Sequence, residues 1–167
     1  NITTAWYTIP YNKGSGCANA DITNWTTAAD SAATGGGYVL GNYKNIIYLF
    51  PGNVSCGWAG LGEVGGSRTW INGYNNTSLY AHELGHNIGV GHASYKDCGA
   101  KTIDSYANCY DSEYGDDYDV MGGSWKSYHY NAAFKNASGW ILPGEIQTAS
   151  ANGAYTVNTL ESAGSEA

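Results

Sequence analysis

The run HELGHNIGVGH contains the pattern HExxHxxGxxH, and it brings together five residues that could do chemistry: His82, Glu83, His86, Gly89 and His92. His82 and His86 are four residues apart, so on a helix their imidazoles lie on one face, with Glu83 beside them. One rigid helix would therefore carry two metal ligands and a general base.

The third histidine requires the helix to end. A continuous helix would carry His92 about 15 Å beyond His82, whereas zinc holds nitrogen ligands at only about 2.0–2.1 Å. Gly89 lacks a Cβ atom, so it can adopt the left-handed conformation at low cost and turn the chain back toward the metal. The glycine is therefore predicted to be part of the geometry of the metal site.

Three neutral imidazoles indicate one catalytic zinc ion, because they leave the fourth tetrahedral position open for water. Zinc lowers the pKa of that water toward about 7, and Glu83 can accept its proton. The resulting hydroxide attacks a peptide carbonyl polarised by zinc, and Glu83 passes the proton to the leaving amine. The predicted function is hydrolysis of peptide bonds.

Two other functions use the same motif. Incidental histidines are a poor explanation, since composition alone gives a chance match on the order of 10⁻⁵. A catalytically silent, zinc-stabilised binding or adhesion module is a second interpretation, and the presence of Glu83 favours the enzyme over it. A zinc amidase acting on a non-peptide substrate would differ only in the shape of its cleft, so it stays open.

The motif resembles the signature of the metzincin metalloproteases, a clan that carries a methionine turn beneath the zinc. The single methionine, Met121, lies downstream of His92 in the run YDVMGG. Other metzincins often have a tyrosine two residues after the methionine, and here that position is Gly123. A tyrosine that swings onto the metal is therefore not expected at that position.

The finer similarity is to the gametolysin family of secreted zinc proteases. It is carried by residues 45–51 (NIIYLFP), 113–122 (EYGDDYDVMG) and 135–145, which include GWILPGE. The resemblance implies an α+β fold: a metzincin-like catalytic domain with a twisted mixed β-sheet, a long zinc-binding helix, a second helix and an irregular C-terminal part with a Met-turn. It also implies that extracellular or cell-wall proteins are the substrates.

Length and charge are compatible with this interpretation. We expect one catalytic domain over residues 1–160, with residues 161–167 as a tail or the start of a missing downstream region. A net charge of −7 with only 7 Lys and Arg argues against a nucleic-acid surface. No apolar run approaches the length of about 20 residues needed to cross a membrane. We expect a secreted monomer that binds extended polypeptides and neither nucleic acid nor membrane.

The four cysteines match no zinc-finger spacing; they are Cys17, Cys56, Cys98 and Cys109. Their even number indicates two disulfides and an oxidising compartment. Of the three possible pairings we favour Cys17 with Cys56 and Cys98 with Cys109, because the second closes a short loop between the zinc helix and the methionine. Four buried thiols are the alternative.

Apolar spacing and glycines predict the other elements. We expect a helix that Asp21 caps and Gly35 to Gly37 end, and a zinc helix from Thr77 or Ser78 to Ile88 that Leu84 and Ile88 anchor to the sheet. A second helix is predicted at residues 128–135. Strands are predicted at residues 5–9, 46–50, 68–71 and 154–160, with 46–50 as a buried central strand.

The glycine-rich segment before Arg68 is predicted to contain the substrate-binding edge strand, formed by Leu61, Gly62, Glu63 and Val64. An extended peptide could pair with such an edge through main-chain hydrogen bonds. A mobile surface loop is the alternative, because glycine weakens strands.

Two further features stay open. The acidic residues between His92 and Met121 could bind calcium, but they match no EF-hand loop, so we favour a solvated loop and predict no calcium site.

His129 could stabilise an oxyanion near the zinc, although a lone histidine is more often structural.

Overall fold

The computed structural model describes residues 6–12, 14, 16–123 and 128–157. The fold is α+β, as predicted, and the chain divides into two compact units, Asn1–Gly89 and Val90–Ala167. The α-helices are α1 (Asn19–Gly35), α2 (Thr77–Asn87) and α3 (Ala132–Ala137); the strands are β1 (Ile46–Phe50), β2 (Gly60–Gly62), β3 (Arg68–Asn72), β4 (Tyr95–Asp97) and β5 (Tyr110–Ser112). Within the described ranges, no helix is both long and apolar enough to cross a membrane.

The first unit contains a three-stranded mixed sheet in the order β1-β3-β2. Strand β3 pairs parallel with β1 and antiparallel with β2. The prediction that residues 46–50 form a strand is confirmed, but its central position is wrong, since β3 occupies the centre of the sheet. Residues 69–72 of β3 are all buried, whereas Ile47 in β1 is 40% exposed.

Polar side chains attach α1 to this sheet. The Asp30 carboxylate accepts hydrogen bonds from the Tyr48 hydroxyl and from Arg68, each at 2.6 Å. The indole N–H of Trp70 donates to the Thr26 hydroxyl at 2.8 Å. Helix and sheet are thus joined by directional bonds as well as by the packing of apolar side chains.

The ends of α1 show how local chemistry sets a helix. The sequence predicts Asp21 as the N-cap, but the N-cap is Ala18, three residues earlier, and the helix begins at Asn19. The Asp21 carboxylate instead accepts a hydrogen bond from the Ala18 N–H at 2.9 Å. The C-terminal end agrees with the prediction, because the helix stops at Gly35 and Gly36 follows as the cap.

Both predicted terminal strands are wrong over their described residues. Residues 6–9 are irregular, and Trp6 is 74% exposed, so no neighbouring strand covers it. Residues 154–157 are also irregular, and the Tyr155 hydroxyl donates to the Ala151 carbonyl at 2.7 Å. Residue 5, residues 158–160 and the tail at 161–167 lie outside the described residues.

The second unit contains an antiparallel ribbon of β4 and β5, in which Lys96 pairs with Asp111. The Lys96 ammonium lies 3.6 Å from the centroid of the Tyr106 ring and 3.5 Å from the Asp111 carboxylate.

Helix α3 is shorter than the predicted helix at 128–135, because the Asn131 side chain caps it by accepting from the Phe134 N–H at 2.9 Å.

The two predicted disulfide pairings are confirmed. Cys17 is bonded to Cys56 in the first unit, and Cys98 to Cys109 in the second. The first bridge joins the segment before α1 to the loop after β1. The second closes the loop between the two strands of the ribbon, β4 and β5.

Candidate metal centre

The helix that carries His82, Glu83 and His86 has the bounds that the motif predicts, and a side chain caps its start. Helix α2 covers Thr77–Asn87, within one residue of the predicted bounds. Its N-cap is Asn76, whose side chain accepts from the N–H groups of Ser78 and Leu79. This cap satisfies two of the backbone donors that a helix leaves open at its start.

Gly89 ends the helical path as predicted. Its φ of 94° lies in the left-handed region, and its N–H donates to the His86 carbonyl at 2.9 Å. A side chain would be strained in this conformation, because the left-handed region is costly for residues with a Cβ atom. His92 follows three residues later.

The three predicted histidine ligands come together. His82, His86 and His92 each offer one ring nitrogen, and these atoms all lie within 4.8 Å of one another. In the described part of the chain, this is the one group of three or more His, Cys, Asp or Glu side chains that could hold a metal ion. Three imidazole nitrogens suit zinc, whereas calcium and magnesium prefer oxygen ligands.

Glu83 is buried beside these ligands, with 5% of its surface exposed. Burial raises the pKa of Glu83 to about 7, and a hydrogen bond donated by the backbone N–H of Gly62 to the carboxylate offsets part of this rise. Burial raises a carboxyl pKa because it penalises the charged form. A metal ion nearby would act in the opposite direction.

The glycines of β2 leave room for α2. A Cβ atom on Gly60 would collide with the carboxylate of Glu83, and one on Gly62 would collide with the backbone carbonyl of Glu83 and lie 3.0 Å from the Cβ of His86. The absence of side chains at these two positions therefore lets the helix lie directly against the strand.

We expect Gly62→Ala to destabilise the fold by about 1–3 kcal/mol, because the added methyl group forces the α2 backbone away from β2. Urea denaturation of both proteins measures this loss. Gly57→Ala is the matched control, since nothing lies within 4 Å of a Cβ at that position. Equal midpoints for the two variants would contradict the close approach.

Asn87 anchors the end of α2 to the sheet. Its side-chain N–H groups donate to the carbonyls of Glu63 and Arg68, each at 3.0 Å. Its oxygen accepts from the Thr69 hydroxyl at 3.0 Å and from Asn45 at 3.2 Å.

The predicted anchors, Leu84 and Ile88, are only half-buried. The sheet contact falls instead on the face of Glu83 and Asn87, where hydrogen bonds replace apolar packing. Periodicity of apolar residues carries no signal for such a polar anchor.

The predicted substrate edge is formed only in part. Leu61 and Gly62 lie in β2, whose other edge has no strand partner among the described residues. Glu63 and Val64 belong to the following turn, because the Glu63 carboxylate accepts from the N–H groups of Ser67 and Arg68 at 3.0 Å. The role of this edge in substrate binding stays a prediction.

Met121 lies in a tight turn of the second unit and is fully buried. The buried carboxylate of Asp119 accepts from the Met121 N–H at 2.6 Å and from the Asn131 N–H at 2.5 Å. The Met121 carbonyl accepts from Ala93, the residue after His92, at 2.9 Å. Asp119 thus organises this turn, a role that the sequence did not reveal.

His129 has an exposed side chain and does not belong to the group of three ligands. Its carbonyl accepts a hydrogen bond from the Val120 N–H at 3.3 Å. Its contribution to catalysis stays a prediction.

Comparison with known families gives the class of this protein. A family model described as gametolysin peptidase M11 matches residues 2–167, so the chain is a peptidase of a metal-dependent class. It belongs to the gametolysin peptidase family, as the resemblance implied. No curated protein and no solved structure gave a significant match to the chain.

Proposed function

We propose that this protein is a secreted zinc-dependent endopeptidase that cuts extended polypeptides, including extracellular or cell-wall proteins. The observation that carries the proposal is the group of His82, His86 and His92, whose ring nitrogens lie within 4.8 Å of one another in a chain of a peptidase family. The histidines would hold one zinc ion, and Gly89 would set the position of the third.

In the proposed mechanism, His82, His86 and His92 would hold a zinc ion, which would supply Lewis-acid chemistry at the attacking water and at the scissile carbonyl. Glu83 accepts the proton of the attacking water and transfers it to the leaving nitrogen as the C–N bond breaks. The burial of Glu83 and its position directly after His82 on α2 support this role, because a general base must lie within reach of the water that the site would hold.

Substrate would bind in extended form along β2. The edge of β2 that faces away from β3 supports this placement, because it has no strand partner among the described residues and an extended peptide could pair with it. The Gly62 N–H is already bonded to Glu83, so it is not counted among the groups that would pair. We propose a Met-turn role for Met121, which the burial of its side chain supports. His129 is retained as a candidate oxyanion stabiliser.

Secretion is supported by the two disulfides, because such bonds persist in oxidising compartments.

Digestion of unfolded casein, with mass spectrometry of the products and metal analysis of the protein, tests the proposal. We expect internal cleavages and about one zinc per chain. Bound zinc without cleavage would point to a binding module or to an amidase with a non-peptide substrate. Absence of both zinc and cleavage would overturn the proposal.

A further inference from the structure

His92 has two neighbours in its own unit that the proposed mechanism does not use. Its Nδ1 atom lies 2.6 Å from Oε1 of Glu113. Its ring lies 3.8 Å from that of Tyr114, centroid to centroid, with an angle of 33° between the planes. The orientation of the imidazole is therefore defined by a polar contact and by a ring contact.

The polar contact selects one tautomer of His92. An ionised carboxylate can only accept hydrogen bonds, so Nδ1 must carry the proton that it donates to Glu113. In a neutral imidazole the lone pair then resides on Nε2, the nitrogen that this contact leaves for the metal. A carboxylate on the second nitrogen also increases the basicity of the ligand and holds its ring in place.

The backbone around Glu113 is constrained in a way that fits a positioning role. Tyr114 has a φ of 61°, a left-handed conformation that is uncommon for a residue with a bulky side chain. The conformation is held by two hydrogen bonds at 3.0 Å and 2.7 Å, from the Gly115 N–H to the Ser112 carbonyl and from the Gly123 N–H to the Tyr114 carbonyl. Such strain persists where the surrounding structure fixes it.

The same turn is also tied to the segment that carries His92. The Asp116 N–H donates to the carbonyl of Ala93 at 3.0 Å, so the turn after β5 is fixed directly beside the third ligand. Glu113 and Tyr114 are therefore held next to His92 by the backbone, independently of the side-chain contacts.

We propose that Glu113 is a positioning residue that holds His92 in the Nδ1-protonated, Nε2-ligating form and so raises the affinity of the site for zinc. This inference rests on the proposed function, because it assigns His92 as a zinc ligand. Glu113 acts through His92 and does not touch the substrate.

The alternative is an ordinary surface ion pair. The Glu113 side chain is 67% exposed, and exposed pairs contribute little to stability. An effect on folding stability would therefore be small in either case, whereas only the positioning role changes the affinity for zinc. Metal affinity is the measurement that separates the two.

The test compares wild type with Glu113→Ala, Glu113→Gln and Asp111→Ala, by zinc competition against a chromogenic chelator at fixed pH. Asp111 is the matched control, because it is an exposed carboxylate two residues away that pairs with Lys96. Loss of an outer partner typically weakens metal binding by about 10–100-fold. We expect roughly tenfold for Glu113→Ala, given its exposure, and no change for Asp111→Ala.

Glu113→Gln retains an oxygen that accepts from Nδ1–H, so we expect it to restore part of the affinity. Nitrogen-15 NMR of the zinc-loaded proteins gives a second readout, because the Nδ1–H tautomer of His92 has its own signature and would lose its slowly exchanging proton in Glu113→Ala. Equal zinc affinity and an unchanged His92 spectrum in Glu113→Ala would overturn the inference alone. A wild-type protein that binds no zinc would overturn the proposed function as well.

Discussion

Glu83→Gln is expected to slow peptide hydrolysis by at least about 10²–10⁴-fold while leaving zinc bound. Glutamine has nearly the same size and shape as glutamate, so the helix and the three histidines keep their positions. It cannot accept a proton from water at neutral pH, and proton transfer in the transition state is lost. The measurement is kcat/KM on a fluorogenic peptide, together with the zinc content of the variant.

A matched control for this change is Glu145→Gln. Glu145 lies near the end of the described chain, where its carboxylate accepts from the Leu142 N–H at 2.6 Å, and it should retain wild-type activity. Full activity in Glu83→Gln would show that another group is the general base. Loss of zinc from that variant would instead mean that Glu83 contributes to the metal site itself.

Removal of the metal is the second change with a large expected effect. Dialysis against a strong chelator should abolish hydrolysis, and added zinc should restore it, reaching a plateau at about one equivalent. Calcium and magnesium should not restore it, because three imidazole nitrogens are poor ligands for hard cations. Activity titrated against each metal, after the chelator has been removed, gives the result.

Chelator already saturated with zinc serves as the control, since it should not inhibit. Recovery of activity with calcium alone would contradict a zinc site at the three histidines and would indicate a calcium site among the acidic residues after His92. Undiminished cleavage by the metal-free protein would exclude the proposed mechanism.

Much of the candidate site could be read from the motif because its geometry is local. The spacing of His82 and His86 follows from the helix repeat, and Gly89 had to end the helix before His92. The structure bears out both points, with α2 ending at Asn87 and Gly89 in the left-handed conformation. These features depend only on residues that lie close together in the sequence, between His82 and His92.

The arrangement of the strands was less accessible. The sequence predicts both β1 and β3, but it favours the apolar run IIYLF as the central strand, whereas the mixed sequence RTWIN occupies the centre. Polar residues of β3 can occupy the centre of the sheet because Asp30 accepts a hydrogen bond from Arg68 and Asn87 accepts one from Thr69. An alternation of residue types cannot report such distant partners.

The sequence by itself determined the identity and order of the three histidines and Glu83, the turn at Gly89 and the family, because each depends on residue type and short-range spacing. Only the tertiary structure decided that Asn87 anchors α2, that β2 must lack side chains against Glu83, and that Glu113 lies against Nδ1 of His92. Most of those contacts join residues about twenty positions or more apart in the sequence. They could not be predicted, because the periodicity of residue types reports local structure and not hydrogen bonds between distant residues.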